Sequence, residues 1–395
     1  MMNNKSKKRK ALINIVNLDS NGIQIIWLIK FKLLEKKGFD LWVNAGNFLR
    51  KISLKGEDVY KFNQKLEKQL GDISIKKISK FGYITFVLKR NLVAYKKLDN
   101  ILKQKFDLVY SPSSVLDLVL IPYLLKKRNR KMIWVSVFDN TVPFRGSGNK
   151  IVRFLAWLFF QISIKLLRRA DRIFAVTPYL KEYLIRRGYN PEKVIITGNA
   201  VEADLIIKAK ANKKYKIDAL FMGRINEKKG IFDLLEVLKI VRKKMPGFKL
   251  GILGQGDKPT EDAFKLRIKK MGLEKNIVFF GYIAGTLKYN LIKSAKVFWF
   301  FSHDESFGVA LLEAVCCGKP ALAYDLPPYR EIYKKNEIKR FKFADYKSIA
   351  KETLRIFKVK EYKNQAGEKL LADYRWEKIV ATEYDSFKKL LDDEK

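Results

Sequence analysis

The chain of 395 residues carries 81 Lys and Arg against 41 Asp and Glu, a formal net charge of +40. At roughly 100–200 residues per domain its length favours two domains, and its 48% hydrophobic and 13% aromatic content excludes a disordered basic tail. Adjacent Cys316 and Cys317 exclude a disulfide framework and suit a reducing compartment, and the single histidine, His303, removes most zinc and Ser-His-Asp chemistry.

From the N-terminus, Met1–Lys10 is basic, but the apolar run after it, Ala11 to Leu18, holds Asn14 and Asn17 and is too short for a signal peptide. Strands are expected at Ala11–Asn17, Asp40–Asn44, Asp107–Tyr110, Met132–Phe138, Arg172–Val176 and Val194–Thr197. Helical patterns lie among them at Ile25–Lys36, Asn91–Lys105, Val115–Leu125, Ile151–Arg169 and Tyr179–Arg187. The Phe154–Ile164 stretch is too short to span a bilayer and reads either as a buried helix or as one lying in a membrane interface. Helix Asn91–Lys105 offers Leu92, Leu98, Ile101 and Leu102 as another interfacial face, or as a face packed on the sheet.

After a lysine-rich linker expected at Val201–Tyr215, the rhythm restarts. Strands are expected at Ile217–Met222, Lys249–Leu253, Ile277–Phe280, Val297–Ser302 and Ala321–Tyr324. Helices are expected at Ile231–Lys244, Glu261–Met271, Ser306–Cys316, Tyr346–Val359 and Trp376–Leu391. Strands separated by helices imply parallel sheets. The expected class is α/β, with two doubly wound Rossmann-like domains facing across a cleft, residues 1–200 and 201–375, and a C-terminal helix over 376–395.

Ligands of such sheets sit past the carboxyl ends of the strands, where the unusual residues of the second half fall. Gly223-Arg224, Gly254-Gln255-Gly256, Gly281-Tyr282, His303-Asp304-Glu305 and Asp325-Leu326-Pro327-Pro328 each follow a strand. Arg224 and Lys229 either place two cations on one phosphate or are solvated loop charges. Free N–H groups near Ser306-Phe307-Gly308 would suit an anion. Glu305 and Glu313, were both helical, would stand about 12 Å apart, too far for a glycosidase pair. They would either grip two ends of one ligand or serve as a helix cap and a lysine partner.

These blocks, Gly223-Arg224 to Lys229-Gly230, Leu253-Gly254-Gln255-Gly256, Val278 to Gly281, and Glu305-Ser306-Phe307-Gly308 to Glu313 with Gly318-Lys319-Pro320, resemble the donor-binding domain of family 4 glycosyltransferases. Asn21-Gly22, Ala170-Asp171 to Thr177 and Asn199 to Glu202 extend the resemblance weakly over the first half. It implies a GT-B fold whose C-terminal helix returns to the first domain. It also implies a retaining transfer of sugar from a UDP- or GDP-linked donor, without a metal or other cofactor. Arg224 and Lys229 would neutralise the diphosphate and, with Glu305, carry catalysis. Gly22, Gly254, Gly256, Tyr282, Ile283, Phe307, Gly308 and Val309 would line the donor site, and Glu313 would hold the ribose. The histidine common after the strand ending Val137-Phe138 is absent, leaving Asp139 as the acceptor-side candidate. His303 reads as a loop side chain, and the two cysteines as packing residues.

The charge divides unevenly. Residues 1–200 carry 40 basic and 14 acidic groups, and residues 201–395 carry 41 and 27. Basic residues are spread evenly, as coding bias would leave them; carboxylates are depleted only in the first half. The expected partners are therefore a glycan or lipid-linked acceptor and an anionic membrane surface, on the inner face of the cell membrane. Nucleic acid is not expected, because no recognition motif accompanies the charge. A basic nucleic-acid-binding protein and a nucleotide-sugar epimerase on the same fold are the alternatives.

Overall fold

The computed structural model describes residues 8–15, 23–45, 48–56, 91–92, 95–96, 98–144, 150–212, 214–359 and 365–393. The chain divides into two compact units, residues 1–198 with 377–395, and residues 199–376.

Among the described residues, unit 1 is built on a seven-stranded sheet. Its strands are β1 (Lys10–Asn14), β2 (Asp40–Ala45), β3 (Phe48–Ile52), β4 (Leu108–Ser111), β5 (Ile133–Phe138), β6 (Arg172–Ala175) and β7 (Val194–Ile196), ordered β3-β2-β1-β4-β5-β6-β7. Every neighbouring pair is parallel except β2 with β3. The short basic β3, FLRKI, went unread in the sequence because an edge strand needs no continuous apolar run. β4 and β5 are buried throughout, as strands covered on both faces must be. The helices are α1 (Ile23–Lys36), α2 (Leu98–Lys103), α3 (Leu116–Arg128), α4 (Lys150–Leu167) and α5 (Pro178–Ile185). Thr177 starts α5 by accepting the Leu180 N–H at 3.2 Å, with proline in the first turn.

The interfacial face expected on Asn91–Lys105 is overturned. Leu98 and Ile101 are core residues of α2, leaving only Leu92 of that set exposed. The apolar spacing is spent on the core instead.

Unit 2 carries six parallel strands: β8 (Ala219–Met222), β9 (Leu250–Leu253), β10 (Ile277–Gly281), β11 (Val297–Phe300), β12 (Ala321–Tyr324) and β13 (Lys339–Phe341), ordered β10-β9-β8-β11-β12-β13. Its helices are α6 (Ala203–Lys208), α7 (Ile231–Arg242), α8 (Lys258–Lys270), α9 (Gly285–Ser294), α10 (Val309–Cys316), α11 (Pro327–Ile332), α12 (Tyr346–Lys358) and α13 (Gln365–Asp373). The linker expected at Val201–Tyr215 is instead opened by α6. Ala203, Ile206 and Ala209 are buried, and Lys293 of α9 donates to the Ile206 and Ala209 carbonyls at 2.6 and 2.9 Å. Three apolar contacts among lysines were too sparse to register as a helical face.

α14 (Trp376–Asp393) carries the chain back into unit 1. Its Glu383 is buried and meets Lys30 Nζ at 2.6 Å, while the Tyr110 hydroxyl donates to its other oxygen at 2.7 Å. Lys30 completes the triangle by donating to the Tyr110 oxygen at 3.0 Å. Burial, then the Glu383 charge, push the Tyr110 pKa well up, so its hydroxyl stays a donor.

Candidate active site at the carboxyl edge of the second sheet

Backbone bonds stitch the loops leaving β8, β9 and β10 together. Gly223 N–H donates to the Leu253 carbonyl at 3.0 Å, Gly254 N–H to Gly281 at 2.8 Å, and Ile225 N–H to Gln255 at 3.0 Å. Gly254 sits at φ 146°, and a Cβ there would collide with the Gly223 carbonyl, so glycine alone lets the loops approach this closely. Arg224 is exposed on the first loop. Five residues on, Lys229 closes a short 3-10 turn, Glu227–Lys229, capped by Asn226, which accepts the Lys228 N–H at 2.9 Å.

The loop after β11 is tied to that turn. His303 N–H and Ser302 Oγ both donate to the Lys228 carbonyl, at 2.8 and 3.2 Å. Glu305, on the same loop, forms an ion pair with Lys229. The helix expected from Ser306 begins only at Val309, with Gly308 as its N-cap at φ 81°. A Cβ on Gly308 would stand 2.9 Å from the Tyr329 ring. This left-handed turn halts the helix short of Glu305, which therefore neither caps α10 nor shares its axis with Glu313. Phe307 is buried against Tyr374, ring centroids 5.6 Å apart, so of the Phe307-Gly308-Val309 trio Phe307 offers only its backbone.

Glu313 lies one turn further into α10, where it is buried. Lys288 Nζ of α9 reaches it at 2.7 Å, and the Tyr289 hydroxyl donates to it at 2.7 Å. Glu202 joins the group, 3.7 Å from Lys288 and 3.3 Å from the Tyr289 hydroxyl. Burial alone would lower the Lys288 pKa, but the Glu313 and Glu202 charges and the Glu313 hydrogen bond outweigh it, and the net shift is upward. Lys288 was missed because α9 was not read; its Tyr289, Leu291 and Ile292 core contacts were the available signal. Tyr282 is exposed and Ile283 half-buried just past β10.

The His303 side chain, on the loop after β11, reaches back to α7. Its Nε2 lies 2.5 Å from Asp233 Oδ2 of α7, and the Tyr346 hydroxyl donates to the other Asp233 oxygen at 2.8 Å. Cys316 and Cys317 are both buried, and burial raises both thiol pKa values, that of Cys317 to about 12. Among the described residues no three His, Cys, Asp or Glu side chains gather to hold a metal ion.

The structure thus brings Arg224, Lys229, Gly254, Gly256, Glu305 and the α10 N-terminus onto neighbouring strand ends of one unit. Asp139 lies elsewhere, past β5 of unit 1, where Ser113 Oγ donates to it at 2.8 Å. Burial raises its pKa, against the pull of that hydrogen bond, of backbone N–H groups and of Lys30. Gly22 lies outside the described residues.

Two family models match the chain, "Glycosyl transferases group 1" over residues 203–370 and "Glycosyltransferase Family 4" over residues 58–205. A phosphatidyl-myo-inositol mannosyltransferase of Mycobacterium leprae is 34% identical over 121 residues, 30% of this chain and 31% of that protein. The chain thus spans about a third of the length of that relative. An uncharacterised glycosyltransferase of Methanocaldococcus jannaschii is 22% identical over 325 residues, covering 76% of this chain and 80% of its own. Anabaena HepE, solved with UDP and glucose, superposes with a TM-score of 0.70 at 14% identity, covering 96% of this chain and 99% of its own. Sucrose-phosphate synthase of Thermosynechococcus elongatus gives 0.73 at 16% identity, covering 98% of this chain and 100% of its own. At these identities the two structures speak for the fold, which is GT-B.

Proposed function

From the premise that this chain belongs to the family 4, group 1 glycosyltransferases, we propose that it moves a sugar from a UDP- or GDP-linked donor to a lipid-linked or envelope-glycan acceptor, with retention and without a metal, at the inner face of the cell membrane. The observation that carries this reading is the pairing of two cations, Arg224 and Lys229, with a helix N-terminus and Glu305 on neighbouring strand ends. As the bond from the anomeric carbon to the phosphate oxygen breaks, charge collects on the diphosphate. Arg224, Lys229 and the free N–H groups beginning α10 stabilise it there. The acceptor oxygen bonds the anomeric carbon on the same face, and its proton passes to the departing phosphate oxygen, so no enzymic nucleophile is needed.

Lys229 is already engaged by Glu305, so a donor phosphate either displaces that carboxylate or shares the lysine with it. Glu313, held by Lys288 and Tyr289, is poised to accept from ribose hydroxyls. Tyr282 and Ile283 line the base side, and Gly254 and Gly256 let the diphosphate approach the backbone. Asp139 serves the acceptor side. HepE in complex with UDP and glucose supports a nucleotide-linked donor, and the mannosyltransferase's name supports a lipid acceptor.

A panel of nucleoside diphosphates and their sugars tests the reading by thermal shift. One of them should raise the unfolding midpoint, by about 2.7 kcal/mol of stabilisation at a hundred times its dissociation constant. A panel that leaves the midpoint unmoved would overturn it. Transfer should survive chelation by EDTA, and the product's anomeric configuration should match the donor's. A putative UDP-N-acetylglucosamine 2-epimerase of Listeria monocytogenes shares the fold, with a TM-score of 0.63. Conversion of the donor sugar with no acceptor present would favour that chemistry instead.

A further inference from the structure

Unit 1 carries an apolar surface that its own sheet does not use. At 100° per residue, the two sides of α4 can be read from its burial. Phe160, Ser163, Ile164 and Leu167 form the buried face. Ile151, Phe154, Leu158 and Ile162 recur at intervals of three and four on the opposite side. Three of them are exposed, Ile151 at 66%, Phe154 at 47% and Ile162 at 40%, and Leu158 is half-buried. Phe144, itself 55% exposed, folds onto the helix start with ring centroids 5.3 Å from Trp157 and 6.4 Å from Phe154. These rings form a cluster in which Phe154 and Trp157 stack at 6.1 Å. Large apolar groups clustered in water are costly unless something covers them.

The charge around this surface identifies what covers it. Between Asn140 and Ala170 the sequence has no carboxylate, and Lys150, Arg153, Lys165, Arg168 and Arg169 of the described residues there are all cationic. Lys150 stands before the apolar stripe, and exposed Lys165, Arg168 and Arg169 follow it. An aromatic and aliphatic stripe bracketed by cations matches an anionic bilayer, with rings at the headgroup–acyl boundary and lysines and arginines at the headgroups. An acidic protein surface would satisfy the cations but not the rings. The location also fits, because Phe144 is five residues past Asp139 on the connection leaving β5. The helix after a parallel strand starts at the strand's carboxyl edge, where acceptors bind.

We propose that the outer face of α4, together with Phe144, seats unit 1 on an anionic lipid surface. This deepens the reading of a membrane-bound acceptor and rests on it for its purpose, although the surface itself stands on its own residues. The full chain is mixed with vesicles of phosphatidylcholine containing phosphatidylglycerol, and with vesicles of phosphatidylcholine alone. It should sediment with the first, release as salt rises, and show blue-shifted tryptophan emission when bound. Phe144→Glu combined with Phe154→Glu should weaken that binding at least about tenfold, while the thermal shift given by nucleoside diphosphates stays as in the wild type. If that variant unfolds, Ile162→Asn with Lys165→Glu reads the same surface.

Equal vesicle binding by a folded variant would overturn the proposal, as would absence of wild-type binding at low salt. So would a wild-type dimer in solution that the variant dissolves, since a second copy would then be the cover. Normal nucleotide binding with no vesicle binding sinks this inference alone. Vesicle binding with no nucleotide response sinks the donor reading instead.

Discussion

The same ion pair, lysine with glutamate, does different work in the two units. In unit 1, Lys30 and Glu383 are sealed, their side chains 7% and 1% exposed, with Tyr110 completing the hydrogen bonding. In unit 2, Lys229 and Glu305 are 22% and 11% exposed at strand ends that also carry Arg224 and a helix N-terminus, and the helix-borne pair Lys288 and Glu313 is only partly open, 17% and 8%. A sealed pair holds elements together, because nothing can compete for either charge. A pair at an open rim can exchange its partner for a phosphate or a ribose hydroxyl. Access, more than residue type, separates structure from site.

The largest expected effect comes from the open pairs. Lys229→Ala and Glu313→Ala should each lower kcat by about a hundredfold or more, in the range seen when a fixed transition-state partner is lost. The unfolding midpoint of Lys229→Ala should stay near that of the wild type, whereas Glu313→Ala leaves Lys288 with Glu202 alone and should lower it. Full activity in either variant, measured by sugar transfer, would dissolve the distinction. The sealed pair should behave oppositely. Glu383→Ala strands a buried lysine and should cost about 3–5 kcal/mol in denaturant unfolding, whereas replacing both partners with Lys30→Met and Glu383→Leu should recover most of that loss. If Glu383→Ala is as stable as the wild type, the returning helix is not anchored there.

His303 falls between the two cases. It bridges Asp233 to the loop that carries Glu305, yet backbone bonds to Lys228 already hold that loop. His303→Ala should therefore act on positioning, raising the donor KM about fivefold, the equivalent of roughly 1 kcal/mol, with kcat changed less. Equal loss in kcat and kcat/KM would instead place the imidazole among groups acting in the transition state.

How much of this was legible in the sequence follows the same division by access. The strand rhythm set the strand-end glycines, Arg224, Lys229 and Glu305 at one sheet edge, but their candidate roles, and that of Glu313, came only from the family resemblance. The central strands were legible because burial on both faces demands continuous apolar runs. What escaped was set by tertiary partners. β3 is a strand because β2 is beside it, α6 is a helix because α9 takes its few apolar residues, and α10 starts late because Gly308 turns left-handed beside Tyr329. Lys288 could not be assigned to Glu313 from 25 residues away without the fold. The membership of Glu202 was hidden in the same way.

The smallest expected effect, at Asp139, tests the comparison most finely, because among the described residues this carboxylate has no salt bridge and is only partly open. Burial raises its pKa above the ordinary 3.8, despite the Ser113 hydrogen bond. A carboxyl whose folded pKa lies above its unfolded value binds its proton more tightly when folded. Its contribution is most favourable below the unfolded value and is lost as pH rises through the folded one. At neutral pH the charged Asp139 thus costs stability, and Asp139→Asn should raise the unfolding midpoint slightly. That gain should shrink as pH falls towards 3.8 and vanish below it. A purely structural aspartate, holding Ser113 in place, would predict a loss at neutral pH instead. If the variant gains stability while transfer to the acceptor falls, the carboxylate is retained against the interest of the fold, as a group that meets the acceptor would be. If stability and transfer fall together, Asp139 belongs with Lys30 and Glu383 among the structural charges of unit 1.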